Sequence, residues 1–284
     1  MAGSVGLSQA LSYARDLRSL YETSRARERE LERAQERLRQ AYAQSRQYAV
    51  DLRKTYRRLQ HAIFQSLLGL ANALEAKDAY TRGHSERVAA LARRVALAAG
   101  VSAAAADTIA QAGLLHDLGK ISIPEQVLRK PGPLTAEEWT VMRQHPLVGA
   151  QIVAPLEFFA DGAVIVRHHH ERHDGSGYPD GLRGELIPLG ARVVAIADVY
   201  DALTSDRPYR TRLTRDEAVW RLRAEAGKTL DARLTGAVAH EARVGPTADE
   251  QLHCLHQQRL AGTRLPREHV QPGAQLQLQL VDDG

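Results

Sequence analysis

From Leu7 to Leu68 the chain holds neither proline nor glycine, so helix is the regular structure that can run through the whole stretch without a break. Within it Leu17, Leu20, Leu31, Ala34, Leu38, Ala41, Tyr48, Leu52, Leu59 and Ala62 occupy the a and d positions of one heptad frame, the pattern of a coiled coil. Ser24, Arg27, Ser45 and Thr55 interrupt the seam, so the expected pairing is modest in strength. A long helix that is polar on its remaining sides is not stable alone. The expected partner is a second copy, giving a parallel homodimer through residues 1–60 whose arms run into the first helix of the next domain near His61 to Ala79. A signal conduit and a plain dimerisation handle both fit such an arm.

Charge supports treating the arm separately. Arg15 to Arg58 contains 13 basic and 7 acidic residues, a net of +6, whereas the whole chain carries +4, so the remainder is slightly acidic. A solvated helix face accounts for the arm's charges, and the balance argues against a nucleic acid polymer as partner of the rest.

Residues 61–243 read as helices throughout, which makes the fold class all-α. Gly100 ends a helix begun near Ser85, Ser102 caps the next, and Thr135 with Glu138 and Thr214 with Glu217 form capping boxes. Asp174 to Gly184, with four glycines and one proline, is a loop. In the tail, 244–284, Leu276, Leu278 and Leu280 alternate with polar residues, so it reads as irregular or as a fragment of a small β unit. No run reaches membrane-spanning length. Met1 is followed by no signal-peptide pattern and Cys254 is the single cysteine, so a reducing, cytoplasmic setting is expected.

The chemistry concentrates in Leu115-His116-Asp117-Leu118-Gly119-Lys120. An imidazole and a carboxylate here suit a metal-dependent phosphohydrolase: His116 can ligate one divalent ion, Asp117 can bridge two, and Lys120, one helical turn after His116, can hold a phosphate oxygen. Such a doublet also arises as a buried hydrogen-bonded pair. Other segments narrow the choice: downstream His145-Pro146, the run His168-His169-His170-Glu171, the triplet Gly177-Tyr178-Pro179, and Ala197-Asp198-Val199-Tyr200-Asp201, with Gly83-His84-Ser85-Glu86-Arg87 upstream.

In these residues, together with Lys130-Pro131-Gly132 and Thr204-Ser205-Asp206-Arg207-Pro208-Tyr209-Arg210, the chain resembles the HD-GYP family of the HD phosphohydrolase superfamily from about Leu67 to about Leu230. The resemblance implies a helical HD-domain bundle that hydrolyses cyclic di-GMP. It implies His84, His116, Asp117 and Asp198 as ligands of one metal, and Asp117, His145, His169 and His170 as ligands of a second. Two ions about 3.5 to 4 Å apart activate water and clamp both oxygens of an in-line displacement. Five histidines and two aspartates without thiolates suit iron or manganese better than magnesium or structural zinc.

Each ligand also has a plainer reading. His84 can be a helix-start residue, His145 an N-cap before Pro146, and the three adjacent histidines a solvated tract from which a helix end turns only two toward one site. Asp198 sits in the apolar run Val193 to Ala197, where an unpaired carboxylate is expensive to bury and a metal removes the cost. Asp201 is read as bonded to nearby backbone and left outside the ligand set.

Lys120, Arg207 and Arg210 stand where the family contacts phosphate, although Arg207 also fits a surface ion pair. Tyr178 can stack on a guanine, in a segment the family uses partly for structure and partner contact. Family members with a third metal carry a glutamate four residues before the first ligating histidine; here that residue is Tyr80, so two ions are expected. The expectation is a cyclic di-GMP phosphodiesterase yielding pGpG or GMP, with signalling proteins as further partners. The alternatives are a catalytically silent cyclic dinucleotide receptor and a phosphodiesterase for another cyclic dinucleotide.

Overall fold

A computed structural model describes residues 2–77, 83–206 and 211–244, and the regular elements among them are helical. Asp78, Tyr80, Arg207, Arg210 and the tail beyond Val244, with Leu276, Leu278 and Leu280, lie outside the described residues. The chain divides into two units, Met1–Gln65 and the part from Ser66 onward. Helix α1 (Ala2–Lys77) supplies the first and runs unbroken through the proline- and glycine-free stretch from Leu7 to Leu68. Its seam faces solvent, with Leu20 68%, Leu38 60% and Leu52 72% exposed.

The second unit begins with the end of α1. It continues through α2 (His84–Ala98), α3 (Ala103–Leu115), a 3-10 turn (Leu118–Ser122), α4 (Glu125–Leu128), α5 (Ala136–Met142) and α6 (His145–Val153). It closes with α7 (Ala160–His168), α8 (Leu189–Thr204), α9 (Arg215–Glu225) and α10 (Ala232–Val244). Helix α8 is central and packs against α2, α3, α7, α9 and α10. That position explains its unbroken apolar run, for Val193, Val194, Ile196 and Ala197 are buried on more than one side of it. Each of the larger ones contributes about 1.5–3 kcal/mol by leaving water.

Local signals set the helix ends. Ser102 Oγ accepts the Ala105 N–H, and Thr135–Glu138 and Thr214–Glu217 form reciprocal capping boxes. Gly100 takes a left-handed φ of 85° just after α2. His145 is the first residue of α6 and Gln144 takes the cap position, one residue earlier than the sequence suggests, because the His145 ring turns inward. No helix among the described residues is long and apolar enough to cross a membrane.

Candidate metal centre

Four segments of the second unit deliver histidines to one buried place: the start of α2 (His84), the end of α3 (His116), the start of α6 (His145) and the end of α7 (His169, His170). Asp117 follows α3 and Asp198 comes from the middle of α8. Their donor atoms form three overlapping groups, each within 4.8 Å: His145–His169–His170, His84–His116–Asp198 and His116–Asp117–His169. All seven implied ligands are thereby brought together.

Hydrogen bonding fixes which nitrogens face the centre. The Nδ1 atoms of His116, His145 and His169 lie 2.8, 2.8 and 2.7 Å from the carbonyl oxygens of Gly113, Met142 and Val166, three residues back. A carbonyl only accepts, so each Nδ1 carries the proton and, in a neutral ring, each Nε2 presents a bare lone pair. Burial keeps His145 and His169 below the ordinary histidine range and pushes His170 down to about 3. The Nε2 atoms of His145 and His169 nevertheless stand 3.4 Å apart, and Nε2 of both His116 and His145 lies 3.4 Å from Asp117 oxygens. Asp117 Oδ1 is buried without a hydrogen-bond partner. Converging lone pairs around an unpaired carboxylate oxygen are repulsive unless a cation lies among them, so this donor set fits divalent metal.

The carboxylates are ionised despite their surroundings. Burial favours the neutral form of Asp117, but opposing charge, the Lys120 ammonium first, outweighs it and holds the group well below the usual carboxylate range. Asp198 is treated likewise, chiefly by His84. His84 differs from the other histidines. Burial opposes its charging, yet Asp198 at 3.3 Å from Nε2 and Asp201 at 2.7 Å from Nδ1 raise it to about 10.

Lys120 lies in the 3-10 turn rather than one α-turn beyond His116, and its Nζ is 2.5 Å from Asp117 Oδ2. Gly119 makes this turn possible: a Cβ there would lie 1.9 Å from the carbonyl oxygen of His145. His168 points elsewhere, to Asp180 and the Val164 carbonyl, which leaves His169 and His170 as the pair facing the centre. Tyr178 stacks on His170 with centroids 4.9 Å apart, and the Arg143 guanidinium sits 5.6 Å from its centroid. Arg207 and Arg210 fall outside the described residues.

Two supporting carboxylates escape a reading of the sequence alone. Asp201 is bonded to side chains, not to nearby backbone: it accepts from Arg87 Nε at 2.6 Å and Nη2 at 3.0 Å besides holding His84. Its one signal is a second carboxylate three residues after Asp198 in an apolar helix. Glu171, buried beside the histidine pair, accepts the backbone N–H groups of Asp180, Gly181 and Leu182 at 2.7, 3.0 and 3.0 Å and so ties the Gly-Tyr-Pro loop to the centre.

Residues 69–234 match the model of the HD domain family. A cyclic di-GMP phosphodiesterase response regulator, RpfG of Xanthomonas campestris, is 47% identical over 61% of this chain and 47% of its own length. A cyclic di-GMP phosphodiesterase of Thermotoga maritima is 41% identical over 62% and 48%. A 3'3'-cGAMP-specific phosphodiesterase of Vibrio cholerae is 39% identical over 65% and 34%. The chain thus spans about half or less of the length of these curated relatives. The crystal structure of a cyclic GMP-AMP specific phosphodiesterase of V. cholerae shares the fold, with a TM-score of 0.53 at 17% identity over 68% of this chain and 53% of that one.

Proposed function

The chain belongs to the HD domain family, in its HD-GYP form, and on that footing we propose that it is a metal-dependent phosphodiesterase that opens cyclic di-GMP to pGpG or GMP. The observation that carries the reading is the gathering of His116, His145 and His169, each with its Nδ1 on a carbonyl and its Nε2 left for the centre, around Asp117, whose Oδ1 has no hydrogen-bond partner. His84, His116, Asp117 and Asp198 would hold one ion and Asp117, His145, His169 and His170 another, with iron or manganese favoured by a nitrogen-rich set without thiolates. When bound, the ions supply a nucleophile at neutral pH and positive charge at the oxygens of an in-line displacement.

The chain's own groups do the rest. Asp117 spans the two ligand sets. Lys120 has three donors, enough to keep its bond to Asp117 and take a phosphoryl oxygen at once. Arg207 and Arg210 would grip the second phosphate, and the catalytic unit would occupy 61–243. Water adds to phosphorus, the bond to the 3' oxygen breaks, and that oxygen takes up a proton. With Tyr80 in place of a third-metal carboxylate, the step from pGpG to GMP would be the slower one. The exposed heptad seam of residues 1–60 would pair with a second copy.

Incubation of metal-replete full-length protein with cyclic di-GMP, 3'3'-cGAMP and cyclic di-AMP, followed by chromatography, tests this. Cyclic di-GMP should be consumed fastest, with pGpG appearing before GMP. Preferential loss of 3'3'-cGAMP would reassign the substrate, and binding without turnover of any of the three would make the protein a receptor.

A further inference from the structure

His116, His145 and His169 are each oriented by a carbonyl three residues back. His84, the first residue of α2, has its Nδ1 on a carboxylate instead. Its ring is held from α8, by Asp201. Its backbone is held from α1: the Glu75 carboxylate accepts the N–H of Gly83 through Oε2 at 3.0 Å and the N–H of Ser85 through Oε1 at 2.9 Å, one bond on each side of His84. Gly83, in the left-handed region at φ 70°, has no side chain with which to cap α2, so a carboxylate eight residues back performs that task. Glu75 also lines the cleft that contains Asp117 and Lys120.

We propose that Glu75 is a positioning residue for His84, so that the ion held by His84, His116 and Asp198 is the one whose retention depends on where the last turns of α1 lie. The proposal rests on the reading of His84 as a ligand. Two charge-assisted bonds fix the α2 N-terminus against α1, and displacement of Glu75 would free the backbone that carries His84, whose ring is held by Asp201. The ion facing His145, His169 and His170 is supported around α6 and α7 and would be indifferent to it.

The test uses the metal-free full-length chain titrated with manganese by calorimetry, with elemental analysis of the reconstituted protein. Glu75→Ala should weaken one ion by about 10- to 100-fold, the usual effect of removing support behind a ligand, and leave the other unchanged. Glu75→Gln, which replaces one of the two accepting oxygens by an NH2 donor facing an N–H group, should fall between Glu75→Ala and wild type. A general loosening of the fold would weaken both ions alike and would overturn the proposal, as would two ions held with wild-type affinity. His84→Ala separates the two levels: if it keeps both ions, the ligand reading itself fails, whereas if it loses one while Glu75→Ala loses none, the positioning role alone fails. Should Glu75→Ala not fold, as judged by circular dichroism, the affinities of Glu75→Gln decide.

Discussion

His84 and the His145–His169–His170 group differ in what they carry before metal arrives. With its range raised to about 10, His84 is protonated at neutral pH, while His145, lowered, and His170, at about 3, are neutral. An ion binding beside His84 must displace that proton, so its apparent affinity should rise with pH by up to about tenfold per unit below the histidine's range. The ion at the other three histidines needs no such exchange. Calorimetry in buffers of different ionisation enthalpy at pH 7 should detect proton release with one binding event and none with the other. Equal release at both would contradict this electrostatic account. At this scale the residues that gather at the centre are legible in the sequence because His116-Asp117, His145-Pro146 and the histidine run are chemically unusual where they stand. Asp201, Glu171 and Glu75 are not, because a lone carboxylate has no local pattern and its partners lie 117, 9 to 11 and 8 to 10 residues away.

Among elements, the contact between the 3-10 turn and the start of α6 sets the geometry around Asp117. Gly119→Ala would place a methyl 1.9 Å from the His145 carbonyl oxygen and 2.5 Å from the Gly149 nitrogen, both backbone atoms that cannot rotate aside. The cost should be about 1–3 kcal/mol or more, seen as a lower melting temperature, and metal content should fall as Asp117 and His145 part. An unchanged melting temperature and two retained ions would refute the close packing. Helix boundaries are legible where a cap has a chemical signature, as at Ser102, Thr135 and Thr214. They are less so around Asp117 and Lys120: the tightening to a three-residue turn comes from the approach of α6 over a glycine, a tertiary contact that periodicity does not carry.

For the whole molecule, the arm and the second unit answer to different parts of the sequence. A helix without breakers is a consequence of composition, and a solvent-facing row of leucines in a single chain leaves its partner to be found. Light scattering at micromolar concentration should give the mass of a dimer for the full chain, and a monomer or a weaker dimer once residues before about Gln60 are removed. A monomeric full-length protein would exclude the paired arm.

The central claim is that Asp117 joins two ligand sets into one hydrolytic centre, and the rate of cyclic di-GMP hydrolysis by Asp117→Ala tests it most directly. The full-length variant, reconstituted with iron or manganese under the same conditions as the wild type, should lose several orders of magnitude in turnover, since several kcal/mol of the barrier depend on the ions it would hold. Hydrolysis at close to the wild-type rate would contradict the account.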